Sequence, residues 1–169
     1  TSGSNVLQVS GNGTAAVTRI ISLPESLEFG GVQAGQKLTK TFGISNTGNS
    51  PLTVTGIEYP EGFSGDWSSG TIRENTSWLV TVTFAPQVAK VYNGQIVVHS
   101  DATSGGNAFL ISGHGTASLT VDPQEWNPVP KVGGSQDFNV SSNVSWTVSK
   151  DQNWLFLDRE SGNGSGSVT

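Results

Sequence analysis

This sequence predicts an all-β chain built from tandem sandwiches, and three observations carry that reading. Val, Ile and Thr number 42 against 30 for Ala, Leu, Glu, Lys and Met, so strand formers outweigh helix formers. Short runs of alternating apolar and polar residues recur along the chain, separated by clusters of Gly, Asn, Ser and Pro. A stretch of fifteen residues also repeats: TSGSNVLQVSGNGTA (Thr1 to Ala15) aligns without a gap on TSGGNAFLISGHGTA (Thr103 to Ala117), with nine positions identical. At 169 residues the chain has room for one to two domains of roughly 100 to 150 residues each.

The repeat comes first along the chain. Leu7 matches Phe109 and Val9 matches Ile111, whereas Gln8 matches Leu110, so the odd positions face a core. Each copy reads as the last strand of a sandwich, closed by a Gly-x-Gly turn at Gly11 and Gly13 or at Gly113 and Gly115. The expected division is therefore the closing strand of a preceding repeat (residues 1–18), one complete domain (19–117) and the first half of another sandwich (118–169). In the complete domain, Lys37 to Asn46 sets Leu38, Phe42 and Ile44 on one face, with Lys40 as an exception placed near an edge. The turn cluster Asn46 to Pro51 follows. Leu52 and Val54 open the next strand, and the phase flips at Gly56 to Ile57 and Tyr59, as a β-bulge requires. Trp78, Val80, Val82 and Phe84 alternate with polar neighbours and Leu79, which makes this the clearest core strand. Tyr92, Gly94, Ile96 and Val98 alternate in turn, and the loop Asp101 to Gly106 leads back into the repeated strand. About seven short strands at this spacing describe an immunoglobulin-like sandwich.

The motifs LEFGGVQAGQ, ISNTGNSPLTVTGI, VTFAP and ISGHGTA, spread over Leu27 to Ala117, resemble the bacterial repeats called choice-of-anchor D. Those are relatives of the abnormal-spindle/hydin (ASH) branch of immunoglobulin-like domains. From Ser118 the pattern changes: LTVDP, SNVSWTVS and WLFLDRESGNGSG resemble the first half of a BACON domain. The first resemblance implies a spacer or assembly module of large secreted or surface-anchored bacterial proteins, with neighbouring immunoglobulin-like domains of the same parent chain as partners. The second implies carbohydrate binding as the alternative, with a glycan or another extracellular protein as partner.

Composition excludes several functions. The net charge of −5 and pI near 4.8 argue against nucleic acid, and no apolar run approaches the roughly 18 residues of a membrane span. Without Cys there is no disulfide, no thiolate nucleophile and no Cys-ligated zinc. With no Met anywhere, the chain is expected to be a piece of something longer. His99 and His114, the two histidines, fall about 20 Å apart along paired strands if Asn107 faces His99, too far to share a metal. Glu58 with Glu61, and Asp158 with Glu160, are the closest carboxylates and read as solvated surface rather than a glycosidase pair. The five N-x-S/T sequons, at Asn12, Asn75, Asn139, Asn143 and Asn163, read as chance in a chain this rich in Asn, Ser and Thr. No enzyme, metal or cofactor is expected. Of the five tryptophans, Trp78, Trp146 and Trp154 are expected to be packed, while Trp126 and Trp67, both in loops, are the candidate sugar-stacking residues.

Overall fold

The computed structural model describes residues 7–125 and 133–169. Its strands are β1 (Ile21–Ser22), β2 (Ser26–Gln33), β3 (Leu38–Asn46), β4 (Leu52–Glu58), β5 (Phe63–Gly65), β6 (Gly70–Ile72), β7 (Thr76–Phe84), β8 (Val91–Ser100) and β9 (Ala108–Thr116) in a first module. A second, smaller module holds β10 (Leu119–Asp122), β11 (Phe138–Ser142), β12 (Ser145–Thr147), β13 (Ser161–Asn163) and β14 (Gly166–Val168). No helix occurs among the described residues. The chain is all-β.

Two sheets face each other in the first module, ordered β1-β3-β7-β5 and β2-β9-β8-β4-β6. Alternation puts Val80, Val82 and Phe84 of β7 into the interface together with Phe42 and Ile44 of β3, and all five are buried. From the other sheet come Leu52, Val54, Ile96, Val98, Phe109 and Ile111. Phe84 lies at the centre of an aromatic group, stacked on Phe63 at 4.6 Å and flanked by Phe29 at 5.6 Å and Tyr92 at 5.4 Å. The expected β-bulge is present: the β4–β8 register shifts between Val54 and Gly56. Residues 7–19 form no strand, and Leu7 and Val9 are 86% and 84% exposed.

Four expectations are corrected. The Gly-x-Gly pair at Gly113 and Gly115 is not a turn, because β9 runs through both to Thr116. A Cβ at Gly113 would lie 2.6 Å from Phe84 Cε1, and one at Gly115 would lie 2.1 Å from the Val88 carbonyl, so the glycines admit close neighbours inside a strand. Trp78 is 46% exposed and Trp154 66% exposed, although both sit in apolar runs. Asn107 stands opposite Val98, whose N–H donates to its carbonyl at 2.8 Å, rather than opposite His99. Lys40 does lie on the stretch of β3 that β1 leaves uncovered, and its ammonium donates to the Glu28 carbonyl on β2.

The second module is thin. Among the described residues, β10-β11-β14 and the two-stranded β12-β13 enclose three buried apolar residues, Val140, Trp146 and Val168. Trp146 is packed as its alternation predicts, and its indole N–H donates to the Gly164 carbonyl at 2.7 Å.

Candidate functional site

Trp67, in the loop between β5 and β6, is half-buried and lies on Trp78, ring centroids 5.4 Å apart and 29° between planes. Trp78 occupies the third position of β7, where the alternating face meets this loop instead of the core, so its ring is covered on one side and open on the other. The Tyr59 hydroxyl donates to the Trp67 carbonyl at 3.4 Å, and burial, helped by the Asp66 charge, pushes the phenol up to about 12. Asp66 accepts the Thr81 N–H at 2.8 Å, which lowers its carboxyl. Among the described residues the result is one aromatic face without a second ring opposite it. Trp126, the other expected sugar-stacking residue, lies outside the described residues.

The acidic residues do not converge. Glu58 contacts His99 Nε2 at 2.8 Å, Glu61 accepts from Lys90 at 2.7 Å, and Asp158 accepts the Thr169 N–H at 2.8 Å. Each is engaged singly at the surface. Among the described residues no three His, Asp or Glu side chains come together as metal ligands. A shallow groove of about 680 Å³ runs past Glu28, Lys90, Val91 and His114, and it holds no pair of groups placed for acid–base chemistry.

A different cluster ties the two modules together. Only Ala117 and Ser118 separate β9 from β10. Asn143, in the turn between β11 and β12, accepts the Ser118 N–H on Oδ1 at 2.7 Å and donates from Nδ2 to the carbonyls of Thr116 at 3.2 Å and Ala34 at 3.1 Å. One side chain of the second module thus holds the linker, the end of β9 and the turn just after β2. The same grip recurs where the chain runs into the first module. Asn49, in the β3–β4 turn, accepts the Thr18 N–H at 2.7 Å and donates to the Ala16 carbonyl at 2.9 Å. In both cases a turn asparagine spans the N–H of one residue and the carbonyl two residues earlier. Sequence reasoning assigned Asn143 only to a sequon. The available signal was its place, like that of Asn49, in a polar turn just downstream of a strand.

Comparison with known families follows the same division. A model of the HYDIN/CFA65/VesB-like Ig-like domain matches residues 19–116, and a model of the viral BACON domain matches residues 117–169. These matches bear out the ASH-type domain and the BACON-like module read from the sequence. No curated protein matches the chain. Among solved structures, it is similar to the ASH/PapD-like domain (PapD-like domain 7) of human CEP192, at 15% identity and a TM-score of 0.49 over 68% of this chain and 98% of that one. The VesB protease of Vibrio cholerae is similar at 20% identity and a TM-score of 0.45, over 56% of this chain and 31% of that one. A protein of unknown function from Porphyromonas gingivalis W83 is similar at 20% identity and a TM-score of 0.47, over 60% of this chain and 49% of that one.

Proposed function

Because residues 19–116 make this chain a member of the HYDIN/CFA65/VesB-like Ig-like domain family, we propose that it is a non-enzymatic spacer or assembly segment of a larger secreted or cell-surface bacterial protein. The observation that carries this is the joint: across a two-residue linker, the Asn143 side chain makes three hydrogen bonds, one to Ser118 of the linker and two to Thr116 and Ala34 of the first module. Net worth of such bonds is about 1 kcal/mol each, enough together to bias a short linker strongly toward one arrangement. The first module also has two poles. In the β8–β9 loop, the Thr103 N–H donates to the Arg19 carbonyl and the Thr103 hydroxyl accepts the Arg19 N–H, and the chain leaves at Thr116, the far end of the nine-residue β9. At about 3.3 Å per residue, that path advances the chain by roughly 30 Å per module.

The test uses the absence of native cysteine. Spin labels at Leu79→Cys and Ser141→Cys, both exposed and one on each module, report the inter-module distance by pulsed electron resonance. A narrow distribution that broadens with Asn143→Ala is expected; a broad one in the unsubstituted background refutes the rigid spacer. Carbohydrate binding by the BACON-like part is the second reading, favoured by Trp154 at 66% and Phe156 at 85% exposure. Affinity electrophoresis against plant and microbial glycans, with Trp126→Ala and Trp154→Ala as controls, decides it.

A further inference from the structure

Residues Leu7 to Ala15 repeat the sequence of Phe109 to Ala117, yet the two copies have opposite surroundings. In β9, Phe109 and Ile111 are 3% and 1% exposed, and Gly113 and Gly115 have no room for a Cβ against Phe84 and the Val88 carbonyl. In the first copy the matching Leu7 and Val9 are almost fully exposed, and a Cβ on Gly11 or Gly13 would meet nothing within 4 Å. Glycine in open chain has no steric purpose, and in a strand it costs about 0.5–1 kcal/mol relative to alanine. The spacing Leu-x-Val-x-Gly-x-Gly has a physical reason only where a packed ring and a neighbouring turn press on the two glycines.

The grips on the backbone fall near the same place, displaced by two residues in the alignment, where Thr116 matches Thr14 and Ser118 matches Ala16. The carbonyl that Asn143 holds belongs to Thr116, the last residue of β9. The carbonyl that Asn49 holds belongs to Ala16, directly after the repeated stretch. A Cβ at Gly48 would lie 2.3 Å from the Thr18 carbonyl, so the incoming chain is seated against this turn just as Ser118 is seated against Asn143.

We propose that Leu7 to Ala15 is the closing strand of another sandwich of the same build, which precedes the first module in the same polypeptide as β1–β9 precede β10. That acceptor presents an aromatic ring beneath Gly11 in the place of Phe84, and a turn carbonyl beside Gly13 in the place of that of Val88. The slot in the first module is filled by its own β9, so it is not the acceptor. This goes beyond the spacer reading, since a strand of this kind is needed whether or not the joints are rigid.

The full chain carries the experiment. Substituting Phe109→Leu, Leu110→Gln, Ile111→Val and His114→Asn writes the sequence of Leu7 to Ala15 into the β9 position. The first module should still melt cooperatively, with Tm lowered by roughly 8–16 °C for the lost core methyls. A control with the same nine residues shifted by one position, which turns Gln inward, should not fold. If the in-phase chain fails to fold, or the two variants are equally stable, the proposal is overturned. Sedimentation supplies a second measurement: the unsubstituted chain should stay monomeric, and concentration-dependent association abolished by Gly11→Val would overturn the proposed acceptor in favour of a second copy.

Discussion

Gly113→Ala adds one methyl group to the centre of β9, and the surroundings of that methyl decide its effect. At a site with space, the change should stabilise by about 0.4–1 kcal/mol, because alanine narrows the unfolded ensemble. Here the new Cβ would lie 2.6, 2.9 and 3.0 Å from three atoms of the Phe84 ring, about 1 Å inside ordinary contact. The ring has nowhere to retreat: it is fully buried, stacked on Phe63 at 4.6 Å, and hemmed by Phe29 and Tyr92. Overpacking of a dense core costs about 1–3 kcal/mol, and a site walled by rings belongs in the upper half of that range. For a module of this size, a loss of about 2–3 kcal/mol lowers Tm by roughly 10–20 °C. Calorimetry of Gly113→Ala, Phe84→Leu and the double variant tests it, because trimming the ring should restore room and leave the double variant at least about 1 kcal/mol more stable than the sum of the singles. A neutral or stabilising Gly113→Ala, or strict additivity, would falsify the close-packing account.

Other expectations concern single contacts. Asn49→Ala should release the chain at Ala16–Thr18 and speed amide exchange of Asn49 and Ser50, whose N–H groups donate to the Thr18 carbonyl, while the β7 amides stay protected. Trp146→Ala should cost about 3–5 kcal/mol and abolish the cooperative melt of the second module, where the other buried apolar side chains among the described residues are Val140 and Val168, leaving the β3 and β7 resonances unchanged in NMR spectra. Tyr59, at about 12 when folded against 10.0 for a free phenol, should contribute stability that is complete below pH 10 and lost as pH rises from 10 to 12. Absorbance at ~295 nm should show a late-ionising tyrosine that Tyr59→Phe removes. Trp78→Ala should erase the near-ultraviolet dichroism of the stacked Trp67–Trp78 pair with little loss of stability, since the ring is already half-exposed.

The legible parts of this chain are those where one face is wholly buried. The alternation of Val80, Val82 and Phe84, the phase change at Gly56 and the Phe109–Ile111 pair of β9 all appear in the structure as expected, because a two-residue period with one dry face leaves no other solution. The strand β2 was not legible. Gly30, at φ 72°, and Gly31 interrupt its pattern at a register shift against β9. Trp78 continues the β7 alternation, but periodicity does not show where the facing layer ends. The paired glycines of β9 were misread as a turn because their reason, the Phe84 ring and the Val88 carbonyl, lies about 30 residues away in sequence. Asn143 was invisible for a related cause, since its partners at Thr116 and Ala34 belong to the other module.

The parallel pairing of β2 with β9 bears on how the first module responds to pulling. The chain comes in at the pole where β2 begins and leaves at the pole where β9 ends, so tension along the polypeptide draws these neighbours past each other lengthwise. The register Ser26–Leu110 to Glu28–Ser112, and then Gly31–His114 to Gln33–Thr116, is loaded in shear, and the hydrogen bonds within each block must yield together instead of opening one at a time. The bulge at Gly30 divides the resistance into two blocks in series. A domain threaded in this way resists force applied along its chain more strongly than one whose terminal strands would peel apart one hydrogen bond at a time.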